Sequence, residues 1–300
     1  MRKSKMQDFQ IVDVTLRDGG YRTNFHFEDY QLSNILTCLD QSGIEYIEIG
    51  YKNGSIHQIN DIGITGICDK NYIEKCRNLV KKAKIVVMLH AKNVTLDDIH
   101  ELSDFGVDLV RICIQKKGYE DSYRFVEIAK KNKLEVSINI TRMSQYSEEE
   151  LDHIVSVCCN LDIDMIYFAD SNGSMLPSKI ENIYKKYNQM YKMSFGFHAH
   201  DNLGMAQANA LAALAGGAHY IDASLMGIGK GVGNLKILEF ISYLHAIKIN
   251  KYNINILVWL SNFIRRTIVS SNKDVSINEL MMGISDLSID DVMKLQTSSL

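Results

Sequence analysis

Short apolar runs alternate with amphipathic stretches along most of this 300-residue chain. Runs of four to eight apolar residues between turn residues read as buried strands, and apolar positions three and four residues apart read as helices. The pattern predicts strands over 9–14, 44–49, 84–90, 108–114, 135–141, 165–169, 194–200 and 220–226. Between and after them it predicts helices over 28–42, 72–83, 96–105, 122–132, 147–161, 177–191, 203–215 and 234–247. The helix boundaries carry local signals: Gly43 as a stop, Thr95 as an N-cap, Ser147 with Glu150 as a capping box, and Pro177 at a helix start. The segment 51–71 is loop-like and longer than most strand-to-helix connections.

Strict alternation of strand and helix implies a parallel sheet, and eight units imply closure. The expected fold class is therefore α/β: a (β/α)8 TIM barrel over residues 1–249, with a short C-terminal helical appendage over 250–300. An open doubly wound sheet is the second choice. Past residue 249 the alternation stops, and helices are expected at 254–270, 277–282 and 289–295. The apolar stripe Ile256, Leu257, Leu260, Ile264 and Ile268 is expected to pack on the barrel or across a dimer.

Barrel active sites lie at the C-terminal ends of the strands, so the strand ends give a candidate site. The first strand ends in Arg17-Asp18, the second carries Glu48, the third ends in His90 and the fourth carries Arg111. The fifth alternates Ser137, Asn139 and Thr141 with apolar residues, and the sixth ends Asp170-Ser171-Asn172-Gly173. The seventh ends in His198-Ala199-His200, two histidines that share a strand face because side chains alternate with period two. The eighth runs into a glycine-rich loop from Gly227 to Asn234, with Gly229 and Lys230 inside it. Two histidines with Asp18 suit one divalent ion with open positions for substrate. They equally suit capped strand ends with satisfied imidazoles. Glu48 has an alternative as the partner of an arginine, Asp170 as a loop cap, and His90 and Arg111 as structural groups. The glycine-rich loop suits a substrate phosphate or a close approach to a bound substrate, with Asn234 as a further ligand; it matches neither a P-loop nor a dinucleotide fingerprint.

Composition narrows the class. A net charge of −3 carries no nucleic-acid footprint. The first ten residues lack a signal-peptide core, and no 18-residue apolar window suggests a membrane span. Six cysteines without Cys-x-x-Cys spacing read as thiols of a reducing cytoplasm rather than a disulfide or zinc framework.

Four stretches together resemble the DRE-TIM metallolyase (HMGL-like) superfamily, which includes 4-hydroxy-2-oxovalerate aldolase, hydroxymethylglutaryl-CoA lyase, isopropylmalate synthase and homocitrate synthase. They are Asp13-Val14-Thr15-Leu16-Arg17-Asp18-Gly19, Asp170-Ser171-Asn172-Gly173, His198-Ala199-His200-Asp201-Asn202-Leu203-Gly204, and Gly227-Ile228-Gly229-Lys230-Gly231-Val232-Gly233-Asn234. The likeness spans residues 9–245 and is nearest the 4-hydroxy-2-oxovalerate aldolase branch. The resemblance implies that Asp18, His198 and His200 bind a divalent cation, Mn2+ ahead of Mg2+, with Asn234 matching a ligand of the lyase branch. It implies that Arg17 faces an enolate oxyanion and that Ser171 holds the substrate carboxylate; Asn139 on the fifth strand and Gly229 in the glycine-rich loop are further candidate substrate-binding residues.

The implied activity is a metal-dependent aldolase that makes or cleaves a carbon–carbon bond through a pyruvate (2-oxo acid) enolate. Its partners would be a small 2-oxo acid and an aldehyde, in a homo-oligomer, with neither nucleic acid nor membrane involved. The chain departs from the family in places. Gly20-Tyr21 stands where the aldolase branch has a histidine base, which leaves Tyr21, with a lowered pKa, His90 or His26 as the proton-moving group. The loop lacks the lyase branch's cysteine, and the C-terminal part is shorter than the aldolase branch's partner-docking domain. A Claisen-type acyl transferase using acetyl-CoA is the alternative; the synthases carry Glu-Arg where this chain has Gly229-Lys230-Gly231. A barrel repurposed as a binding module is the third.

Overall fold

The computed structural model describes residues 8–116, 119–268, 276–288, 290–292 and 294. Eight parallel strands close a barrel in chain order, with β1 hydrogen-bonded to β8. They are β1 Gln10–Asp13, β2 Tyr46–Tyr51, β3 Lys84–His90, β4 Leu109–Ile114, β5 Glu135–Ile140, β6 Met165–Asp170, β7 Ser194–Ala199 and β8 Tyr220–Ala223. The intervening helices are α1 Asp29–Ser42, α2 Lys70–Leu79, α3 Leu96–Asp104, α4 Tyr123–Lys131, α5 Glu148–Cys159, α6 Pro177–Met190, α7 Ala206–Gly216 and α8 Ile237–Ala246. Two more follow, α9 Ile254–Thr267 and α10 Ile277–Ser285.

The closed barrel, not the open sheet, is therefore the fold. Gly43 ends α1 in the left-handed region, and Ser147 and Glu150 close a reciprocal cap on α5. Several boundaries differ from the periodicity: α2 spans 70–79 rather than 72–83 and β8 ends at Ala223 rather than 226, and three others have a visible cause. β2 runs on to Tyr51 because the register shifts between Glu48 and Gly50, and a side chain at Gly50 would strike the Thr65 carbonyl. α7 starts at Ala206, whose N–H bonds to Asp201 Oδ1 at 2.9 Å. α8 starts at Ile237 because Asn234 is held in a bridge to His200.

Alternation along the strands sorts side chains inward and outward. Val12, Tyr46, Val86, Leu109, Met165 and Tyr167 form a small apolar cluster distinct from the main core, which lies between strands and helices. Two residues further along, the same alternation places Glu48 on β2, Arg111 on β4 and Asp222 on β8. Apolar packing thus gives way to charge towards the C-terminal end of the barrel.

The apolar stripe of α9 resolves onto the barrel: Leu257, Leu260 and Ile264 join the main core. Gln31 on α1 donates to the Thr267 carbonyl at 3.0 Å. α10 and the residues after it lie at the barrel mouth, where Asp286 accepts from Ser144, Asn172 and Ser174. Of the helix expected over 289–295, Ile289, Met293 and Leu295 lie outside the described residues. Among the described residues no helix is long and apolar enough to cross a membrane.

Candidate functional site: a charge-lined metal-type centre at the barrel mouth

β1, β7 and the loop after β8 deliver the central residues. One ligand atom each from Asp18, His198 and His200 lies within 4.8 Å of the others. The Nε2 atoms of His198 and His200 are 3.3 Å apart. His198 Nδ1 faces Asp222 Oδ2 at 2.9 Å, an acceptor that places the ring proton on Nδ1 and leaves a lone pair on Nε2. Asn234 donates to Asp18 Oδ2 at 2.8 Å, and its Oδ1 is buried without a hydrogen-bond partner among the described residues.

This donor set fits a divalent cation on its own chemistry. One carboxylate and two imidazole nitrogens converge, the Asn234 side chain with its unpartnered oxygen adjoins the carboxylate, and the carboxylate behind His198 supplies the orientation typical of metal-bound histidine. Burial would raise the Asp18 pKa, but Arg17 and the two histidines outweigh it and hold the carboxyl well below its usual range. Burial pushes His200 down to about 3, so its imidazole is neutral.

A buried chain of alternating charge supports these groups. Arg17 Nη1 bonds Asp18 Oδ1 at 2.5 Å, and its Nε bonds Glu48 Oε2 at 2.7 Å. Arg111 lies 3.2 Å from Glu48 and 2.8 Å from Asp222, with its guanidinium over the Tyr167 ring at 4.1 Å. Arg111, Glu48 and Asp222 are essentially sealed from solvent. Burial would lower the Arg111 pKa, yet Asp222 and Glu48 raise it well above the ordinary arginine value.

The structure brings together most of the residues singled out in the sequence. Arg17, Asp18, Tyr21, His90, Asn139, Ser171, His198 and His200 line one cleft. Ser171 Oγ accepts the Arg142 N–H at 2.9 Å. Asn139, with its amide turned so that both atoms are satisfied, donates to Ser137 and accepts from Arg111. Gly229 stands behind the centre: a Cβ there would lie 2.5 Å from Asp18 Oδ2 and 2.4 Å from Asn234 Nδ2.

Three amides of the loop are already bonded, Lys230 to Asp18, Gly233 to Lys230 and Asn234 to Gly227, which leaves fewer of them to cradle a phosphate. Asp170 caps its own loop, accepting from the Ser174 and Met175 amides. His26 turns away to the Asp61 carbonyl at 2.8 Å. Tyr21 corrects the expectation of a lowered pKa: burial raises it, and its hydroxyl pairs with Ser55. His90 stacks on Tyr51, its Nε2 is buried without a partner among the described residues, and burial with nearby Lys92 and Arg17 lowers its pKa to about 3.

Asp222 was missed in the sequence, although an acid at an inward position of an apolar strand signals it. Met282 and Ser288, which also line the cleft, lie where sequence spacing shows no relation to the barrel mouth.

Fold and centre define a class: parallel barrels with a metal-type carboxylate–histidine cluster at the C-terminal ends of the strands. Within that class, the HMGL-like family model matches residues 8–264, and the chain belongs to that family. It is 31% identical over 227 residues to oxaloacetate decarboxylase of Mycobacterium tuberculosis, covering 76% of this chain and 67% of that protein. It is 30% identical over 243 residues to 4-hydroxy-2-oxovalerate aldolase of Geobacillus genomosp. 3, covering 81% and 72%. The N-terminal domain of a Bacteroides vulgatus protein provisionally described as an aldolase superposes with a TM-score of 0.85 at 26% identity, over 96% of this chain and 97% of that one. The carboxyl transferase domain of Rhizobium etli pyruvate carboxylase shares the fold, with a TM-score of 0.77 at 14% identity, over 98% of this chain and 54% of that one.

Replacing Arg111 with leucine strands two buried carboxylates. Arg111→Leu should cost about 3–5 kcal/mol of unfolding free energy, whereas Lys186→Ala, which removes two solvent-facing ion pairs, with Glu148 and Asp152, should cost about 1 kcal/mol or less. Urea denaturation measures both, and equal small losses would show that the buried chain does not hold the barrel together.

Proposed function

We propose that this chain is a divalent-metal-dependent lyase that makes or cleaves a carbon–carbon bond through the enolate of pyruvate or a closely similar small 2-oxo acid, with an aldehyde as the second reactant. The observation that carries the reading is the convergence of Asp18, His198 and His200 beside the Arg17 guanidinium. In this reading those three residues and Asn234 Oδ1 hold the ion, Mn2+ ahead of Mg2+. The ion supplies Lewis-acid polarisation of the 2-oxo acid's carboxylate and keto oxygens.

Arg17 places positive charge where the enolate oxygen develops, and its Nη2 has no partner among the described residues. The Ser171 hydroxyl, with Asn139 below it, holds the substrate carboxylate. Gly229 keeps the loop close against Asp18. His90, neutral and with no partner on Nε2 among the described residues, accepts the methyl proton of pyruvate. The carbon electron pair then forms the new bond to the aldehyde carbon. The resulting alkoxide takes its proton from Tyr21, which burial keeps as the phenol. Cleavage runs the same transfers in reverse.

The relatives named for aldol cleavage and for oxaloacetate decarboxylation support this reading, because both reactions release the same pyruvate enolate. They do not favour the Claisen-type acyl transferase. Free thiols at all six cysteines accord with a reducing cytoplasm, and a homo-oligomer is the proposed assembly.

Titration calorimetry with Mn2+ tests the ligand set. His198→Ala and His200→Ala should each abolish binding while circular dichroism stays native, and Asp222→Asn should weaken it about 10–100-fold. Wild-type affinity in both histidine variants overturns the assignment. Arg17→Ala should keep the ion yet lose about 10²–10³-fold in kcat for pyruvate release from 4-hydroxy-2-oxovalerate. Turnover near that of the wild type removes Arg17 from the chemistry.

A further inference from the structure

Lys230 is a cation at the mouth that the reaction above does not use. Its side chain lines the cleft and is half-buried, with the ammonium over the Tyr21 ring at 5.4 Å. No side-chain hydrogen bond or ion pair holds that ammonium among the described residues, whereas lysines on the loops after β3 and β4 are occupied. Lys92 donates to the Ile56 carbonyl, and Lys116 pairs with Glu150 at 2.6 Å. Asp18 and Asp290 act on the Lys230 ammonium only through space, and a half-buried ammonium with no directly bonded anion gains from a bound group that supplies one.

The surroundings match an anion. Among the described residues lining the cleft Asp18 is the one carboxylate, engaged by Arg17 and Asn234; Asp290, which also acts on the ammonium, is engaged by Arg142. Arg142, at the end of β5, lines the same cleft and is held by Asp290 from the segment after α10. Gln115 and Thr141 add polar groups to the wall. The Lys230 backbone N–H donates to Asp18 Oδ2 at 3.1 Å, so the ammonium lies within one lysine side chain of the metal-type centre. A group bound there is joined to the reacting carbon by a short linker.

Resting on the reading of the site as a pyruvate-enolate lyase, we infer that Lys230, assisted by Arg142, forms an anion subsite that selects a short aldehyde bearing a terminal carboxylate or phosphate as the second reactant. The subsite is built from side chains, and the Lys230 amide itself is bonded to Asp18. It suits aldol chemistry better than decarboxylation. A cation paired with a departing carboxylate stabilises the charged ground state and opposes release of neutral carbon dioxide.

The experiment compares kcat/KM for pyruvate with succinic semialdehyde, phosphoglycolaldehyde, propanal and butanal, using the Mn2+-loaded full chain. The wild type should prefer one anionic aldehyde over the neutral ones by about tenfold or more, and the favoured arm tells carboxylate from phosphate. Lys230→Ala should erase that preference through KM, Lys230→Arg should retain it, and Lys230→Glu should reverse it. No preference in the wild type, or equal losses for neutral and anionic aldehydes in Lys230→Ala, overturns the subsite.

Calorimetric titration of succinate and inorganic phosphate into wild type and Lys230→Ala reads the same site without turnover. Binding lost in the variant upholds it; equal binding, or none in the wild type, overturns it. Absence of any pyruvate turnover, with anion binding intact and sensitive to Lys230, would instead count against the lyase reading alone.

Discussion

The molecule depends on one buried chain of alternating charge. Asp18, Arg17, Glu48, Arg111, Asp222 and His198 follow one another in contact across β1, β2, β4, β8 and β7. Each charge alone would be expensive to desolvate inside a barrel. Together they are tolerated because every guanidinium lies between two carboxylates. The chain returns to its starting point, since His198 and Asp18 both belong to the metal-type cluster. The framework that holds the barrel interior together therefore also fixes the carboxylate and imidazole orientations at the centre.

The mouth above this chain is finished by a segment far away in sequence. Asp286, in a left-handed conformation at the end of α10, gathers Ser144, Asn172 and Ser174, and Asn202 donates to the Glu279 carbonyl at 3.0 Å. These bonds tie the loops after β5, β6 and β7 to one another through the C-terminal segment. Met282 and Ser288 thereby reach the cleft. The appendage belongs to the site's wall as well as to the barrel's outer packing.

Much of this was legible in the sequence because two periodicities do the sorting. Period-two alternation put Arg17-Asp18, Glu48, Arg111 and His198-Ala199-His200 at corresponding strand ends, and helical spacing separated eight units cleanly. What stayed hidden depends on contacts between distant residues. Nothing near Asp222 in sequence announces that it receives both Arg111 and His198. Tyr21 was expected to have an acidified phenol beside Arg17, but enclosure by Phe25, Tyr51 and Ser55 makes burial the stronger effect. The start of α8 moved because Asn234 is bound to the centre rather than to a helix turn. Local propensity describes elements, whereas a site is fixed by the closure that brings their ends together.

The most direct measurement is proton NMR of pyruvate in D2O with the full chain, once with Mn2+ supplied and once with EDTA. The account predicts loss of the methyl signal only in the presence of the ion, because the enolate forms and returns with deuterium. A methyl signal that persists in protein shown by calorimetry to hold Mn2+ would contradict the pyruvate-enolate chemistry at the centre of this account.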